Sequence, residues 1–163
     1  TKDRAENVLL YILEKCAGQP NVGETVLYKL LYFSDFNYYE LKKRSLTGLS
    51  YKKLPYGPVP VNIGSILKSM IEEEKLKLII TDYHGFSQKR YIPLMNAKKG
   101  KLTRMERSVI DNVIFTLSDM TATRISEYSH NDVPWKVSKE MEIIDYELVR
   151  KRKPPYKMKG RSR

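Results

Sequence analysis

From Asp3 to Cys16 the apolar residues return at helical spacing. Ala5, Val8, Leu9, Ile12, Leu13 and Cys16 share one face, Asp3 offers a cap, and Gly18 and Pro20 stop the run. A second periodic stretch, from about Glu24 to Lys42, carries one stripe of Leu27, Leu30, Leu31 and Tyr38, with Leu41 below it. Tyr28, Tyr32, Phe36 and Tyr39 widen its apolar surface, which predicts a helix covered on more than one side.

The pattern then breaks. "SLTGLSYKKLPYGPVP" reads as an extended, turning connector, because prolines this dense fit neither a helix interior nor a central strand. A helix is expected from about Val59 to Glu74, with Pro60 in its first turn and Val59, Ile63, Ile66, Leu67, Met70 and Ile71 inward. Strict alternation follows at Leu76, Leu78 and Ile80. With His84-Gly85 as the turn and Tyr91 and Ile92 returning, it predicts a β-hairpin over about 76–92. Lys98 to Lys101 is a basic loop. Thr103 and Glu106 have capping-box spacing ahead of a helix to about Leu117, whose face is Val109, Val113, Ile114 and Leu117. A short helix over 121–129 precedes a Pro-terminated turn, and 136–149 reads as part helix, part short strand. The sum is an α+β chain, mainly α: a single compact helical domain over 1–149 with one small hairpin, and no internal repeat.

Composition refines this. With 163 residues, 41% of them hydrophobic, the chain can bury one ordinary core. No apolar run approaches the roughly 20 residues of a membrane span. The single Cys16 excludes an internal disulfide and makes the cytoplasm the default compartment. Residues 150–163 hold Arg150, Lys151, Arg152, Lys153, Lys157, Lys159, Arg161 and Arg163 and no acid, so eight of the net eleven positive charges sit there. This reads as a disordered basic C-terminal tail, with Arg150, Lys151, Arg152 and Lys153 as candidate phosphate contacts.

Motifs for catalysis are missing. GxxxxGK[ST] and GxGxxG are absent, and one Cys with two His in no ligand spacing gives no closed zinc site. His130 with Asp132 is a weak metal pair. Ser129 or Cys16 with His130 assembles a nucleophile only on paper, since Cys16 lies on an apolar face. The glutamates at 72–74 read as a solvated patch. No cofactor is expected, and the reading is not an enzyme. Helix, helix, connector, helix and hairpin also outline a winged helix. Yet the face that would read DNA, with Asn62, Ser65, Lys68, Ser69 and three Glu, suits phosphate poorly. The twelve tyrosines remain: Tyr28, Tyr32, Tyr38 and Tyr39 on the second helix, and Tyr51 and Tyr56 around the prolines, offer stiff amphipathic contact area.

"KLLYFSDFNYYE", "LTGLSYKKLPYGPVP" and "LSDMTATRISEYSHNDVPW", in that order, resemble the signature segments of the SocA-like antitoxin, or Panacea, domain. The matching positions are Lys29 to Asp35, Thr47 to Pro60 with Gly48, and Ser129 to Trp135 with His130. The likeness runs over about residues 5–147. Many relatives carry an upstream helix-turn-helix domain, and this sequence, which begins at Thr1, holds no counterpart of it. The resemblance implies a bacterial or phage-borne antitoxin that binds and neutralises a separately encoded toxin protein. It also leaves room for an adaptor that hands the toxin to an ATP-dependent protease, or for a regulator on operator DNA. It implies neither a membrane association nor an oligomeric state. Independently of the family, an interface is expected at Tyr51, Leu54, Pro55, Tyr56, Gly57, Pro58 and Val59, joined by Tyr38, Tyr39 and Trp135. The competing reading has the same segments holding the fold, with Asp35 and His130 as a buried pair and Trp135 as a core plug.

Overall fold

The computed structural model describes residues 2–159. Helix α1 (Lys2–Lys15) begins one residue ahead of Asp3, so Asp3 stands in the first turn and complements the helix dipole instead of capping. Helix α2 (Glu24–Lys42) is the axis of the molecule. Residues 29–36 are buried without a break, as a helix apolar all round requires, and side chains such as Leu30, Leu31, Tyr32 and Phe36 are wholly enclosed. Each contributes about 2 kcal/mol by leaving water. Helices α4 (Arg104–Leu117) and α5 (Ala122–His130) pack on α2. The expected capping box closes α4, with the Thr103 hydroxyl accepting from Glu106 N at 3.1 Å and Glu106 Oε1 accepting from Thr103 N at 2.8 Å.

The proline segment is where expectation and structure part. It folds as a hairpin, β1 (Tyr51–Leu54) against β2 (Gly57–Pro60), and α3 begins only afterwards (Ile63–Glu72). The register explains how a strand tolerates two prolines. Tyr51 pairs with Pro60 and Lys53 with Pro58, while Lys52 pairs with Val59 and Leu54 with Gly57. Beyond the strand, Val61 N bonds Ser50 O. Alternation therefore turns the nitrogens of Pro58 and Pro60 away from β1, where no ladder bond is lost. The outer edge of β1 is also used: Lys53 N donates to Glu142 O, and Ile144 N to Tyr51 O. The ambiguous segment thus supplies helix α6 (Val133–Val137), an extended stretch along β1, and a 3-10 turn at Tyr146–Lys151.

The second hairpin, β3 (Leu76–Tyr83) and β4 (Phe86–Pro93), forms where the alternation predicts it, but of the alternating residues only Leu76 is buried, while Leu78 and Ile80 face solvent. His84 and Gly85 both have positive φ, the mirror-image turn that matches strand twist. Tyr91 OH, Arg90 and Gln88 bind it to Glu24, Gln19 and Pro20 at the α1–α2 corner. The basic loop is a 3-10 turn, Lys99–Lys101.

The segment from 150 does not leave the body as a loose tail. Arg152 is 4% exposed. Its guanidinium forks onto both oxygens of Asp132 at 2.9 and 2.7 Å and reaches Asn37 and Glu40 at 2.8 and 3.0 Å. Tyr156 then packs on Tyr128 and Phe33, and Met158 N donates to Glu40. A charge of this kind is retained in the interior only when fully paired, which Asp132 achieves. The rest of the expected tail, 160–163, lies outside the described residues. No helix among the described residues is long and apolar enough to cross a membrane.

Candidate partner-binding site

The expected site residues separate into two groups according to burial. Asp35 is fully enclosed and accepts from Leu46 N at 2.7 Å, Thr47 N at 2.9 Å, the Thr47 hydroxyl, and Tyr51 OH at 2.6 Å. Burial pushes its carboxyl up from the ordinary value, and those four hydrogen bonds pull against it. The KLLYxxD aspartate therefore pins α2 to the loop that carries Gly48 and to β1. It is not paired with His130. Tyr38 is buried, its hydroxyl accepting from Arg44. Tyr51, Gly57 and Pro58 are buried as well, so these four belong to the fold and not to an accessible interface.

Pro55 and Tyr56 point outward. Tyr56 is 78% exposed at the tip of the first hairpin. Leu54 and Val59 beside it are half-buried, as is Tyr39, whose hydroxyl bonds Glu147. Trp135 is half-buried too. Its indole N–H donates to Leu54 O at 3.3 Å, and His130 stacks on its ring at 4.3 Å and 19°. The Lys53 ammonium lies 4.2 Å from the ring centroid and donates to the carbonyls of Lys136 and Ser138. The late "SH…W" motif thus buttresses the underside of the turn.

The same backbone bonds bring in residues the sequence reading passed over. Val137, Met141 and Ile143 are each more than half exposed. Met141 and Ile143 lie in the segment that runs beside β1, where Met141 N donates to Lys53 O and Ile143 bridges Lys52, and Val137 ends α6 ahead of it. With Pro55 and Tyr56 they are exposed apolar residues on the first hairpin and on the stretch leading into and along it. Three apolar residues without periodicity, set among Lys, Ser and Glu, carried no signal by themselves. Only the pairing with β1 reveals them.

Under the turn stands Lys29 of α2. It is 2% exposed, and burial alone brings its ammonium down to about 8. Gly57, at φ 120°, is the residue that admits it. A Cβ there would fall 2.5 Å from Lys29 Cε, 2.7 Å from Ser129 Oγ and 3.3 Å from Lys29 Nζ.

Two groups considered as reactive are held in other roles. Burial raises the Cys16 thiol to about 11, so it is not a thiolate near neutrality. Asp132 is engaged by Arg152 and Tyr32. No group of three or more His, Cys, Asp or Glu among the described residues is placed to hold a metal. Of the basic candidates, Arg150, Lys151 and Lys153 are exposed, while Arg152 is consumed inside. Compared with known families, residues 27–136 match the antitoxin SocA-like, Panacea domain. No curated protein and no solved structure matches.

Proposed function

We propose, from the premise that this chain belongs to the SocA-like antitoxin (Panacea) family, that it neutralises a cognate toxin protein by docking it on the Tyr56 turn. The observation that carries this reading is the exposure of Pro55 and Tyr56 on the family's proline signature and of Met141 and Ile143 on the segment bonded to it. A ring this exposed on a two-residue turn serves packing little. It presents a large, stiff surface at low entropic cost, as interface anchors do. The signature residues beneath the turn complement it. Asp35, Tyr51 and Trp135 fix its position, so that Tyr56 is pre-organised.

The test is Tyr56→Ala against the product of the adjacent gene, read by calorimetry. Loss of an anchor predicts binding weaker by about 2 kcal/mol with an unchanged melting temperature. Undiminished binding by a folded variant rejects this surface. A second reading, contact with operator DNA, draws on the exposed Arg150, Lys151 and Lys153. It predicts an affinity that falls steeply with salt.

A further inference from the structure

Lys29 presents an ammonium for which the described protein supplies no counter-charge. No described carbonyl, hydroxyl or carboxylate accepts a hydrogen bond from it, and no ion pair includes it. Its neighbour Ser129 gives its own proton to Ser126 O at 2.7 Å. His130, the next residue, keeps a buried Nε2 that also has no hydrogen-bond partner. Buried cations elsewhere in the molecule are treated otherwise: Arg152 has two carboxylates and an amide, and Lys53 has two carbonyls and a ring. A charge so little exposed and without a partner is costly, and a methionine of similar length would carry none. Its place is equally particular. It lies against Gly57, one residue from Tyr56, behind the surface proposed above to receive the toxin.

We infer that Lys29 is the floor of a carboxylate site beneath the Tyr56 turn, filled by an Asp or Glu side chain of the partner that docks there. The inference rests on the proposed docking surface and adds the chemistry of what enters it. A carboxylate suits the site better than a phosphate. One cation beside a glycine and a serine matches a single negative charge, and the described atoms nearest Gly57 belong to Lys29 and Ser129, with none of the guanidinium forks that phosphate favours. In the free protein Lys29 is a stored cost. In the complex it becomes half of an enclosed ion pair, so the same residue weakens the unbound fold and strengthens the assembly.

Two measurements decide this. In protein carrying ¹³C-labelled lysine, the Lys29 Cε resonance is assigned by its loss in Lys29→Met. It is then titrated in chloride, in acetate and in inorganic phosphate at equal ionic strength. The carboxylate site predicts a midpoint that rises by about one pH unit in acetate alone. A midpoint that acetate leaves in place, or that phosphate moves instead, overturns it. The second measurement compares wild type and Lys29→Met for binding the adjacent gene's product. The expected result is a variant that melts higher yet binds about tenfold or more weakly. Equal affinity in a folded variant overturns the inference while leaving the antitoxin reading intact. If the wild type binds no such product, the antitoxin reading falls, and the acetate titration still decides whether Lys29 takes a carboxylate.

Discussion

Lys29 shows how one side chain makes stability depend on pH. Its ammonium is held near 8 in the fold and rises to the ordinary lysine value of 10.5 when the chain unfolds. Between those values the unfolded chain binds a proton that the native state has released, so stability grows as pH climbs through the window and is lost as pH falls through 8. The displacement converts to roughly 3 kcal/mol. Urea denaturation of wild type and Lys29→Met at pH 7 and pH 10.5 should show the variant ahead by about that amount at the lower pH. The gap should close at the higher one. Gly57 gives a second residue-level prediction. Gly57→Ala strains a φ of 120° and drives a methyl into Lys29 and Ser129, so it should cost about 3 kcal/mol. Gly85→Ala, at φ 84° in open space, should cost only about 1–2 kcal/mol in the same denaturation assay.

At the level of elements, what could be read from the sequence depended on whether a local rule decided the structure. The capping box at Thr103, the place of the β3–β4 hairpin and the apolar breadth of α2 were legible because spacing alone determines them, whereas the exposure of Leu78 and Ile80 on β3 was not. The first hairpin was not. Proline density argued against a strand, and what overturned that argument was register, which turns Pro58 and Pro60 away from β1. Pro60 likewise resembled a helix start because its fixed φ suits both roles. The site was half legible. The motif located the turn, the outward position of Tyr56 came from the register of the first hairpin, and the contribution of 141–143 came from a bridge across more than eighty residues. Shifting that bridge is itself testable. Ile144→Pro removes the N–H that Tyr51 O accepts and should loosen the 141–144 segment, seen as faster amide exchange at Lys53 with α1 and α4 protected.

For the whole molecule, the C-terminal charge is not a single feature. Arg152 is an internal strut, while its neighbours Arg150, Lys151 and Lys153 face solvent. Deleting 150–163 is therefore no clean test of nucleic-acid binding, because it also leaves Asp132 buried without its counter-ion, with the Tyr32 hydroxyl as its remaining described side-chain partner. Such a deletion should cost about 3–5 kcal/mol in thermal or urea unfolding, whereas glutamine at positions 150, 151 and 153 should leave stability unchanged. Any salt-dependent DNA affinity should fall in that glutamine variant, which still folds. The strut has a further consequence, in time. The chain emerges from the ribosome N-terminus first, and α2 is made more than a hundred residues before the arginine that reaches Asn37 and Glu40. A growing polypeptide holds the aspartate at 132 without its counter-ion until translation has passed the arginine twenty residues on. Synthesis of that short stretch thus sets the earliest moment at which the newborn protein can close.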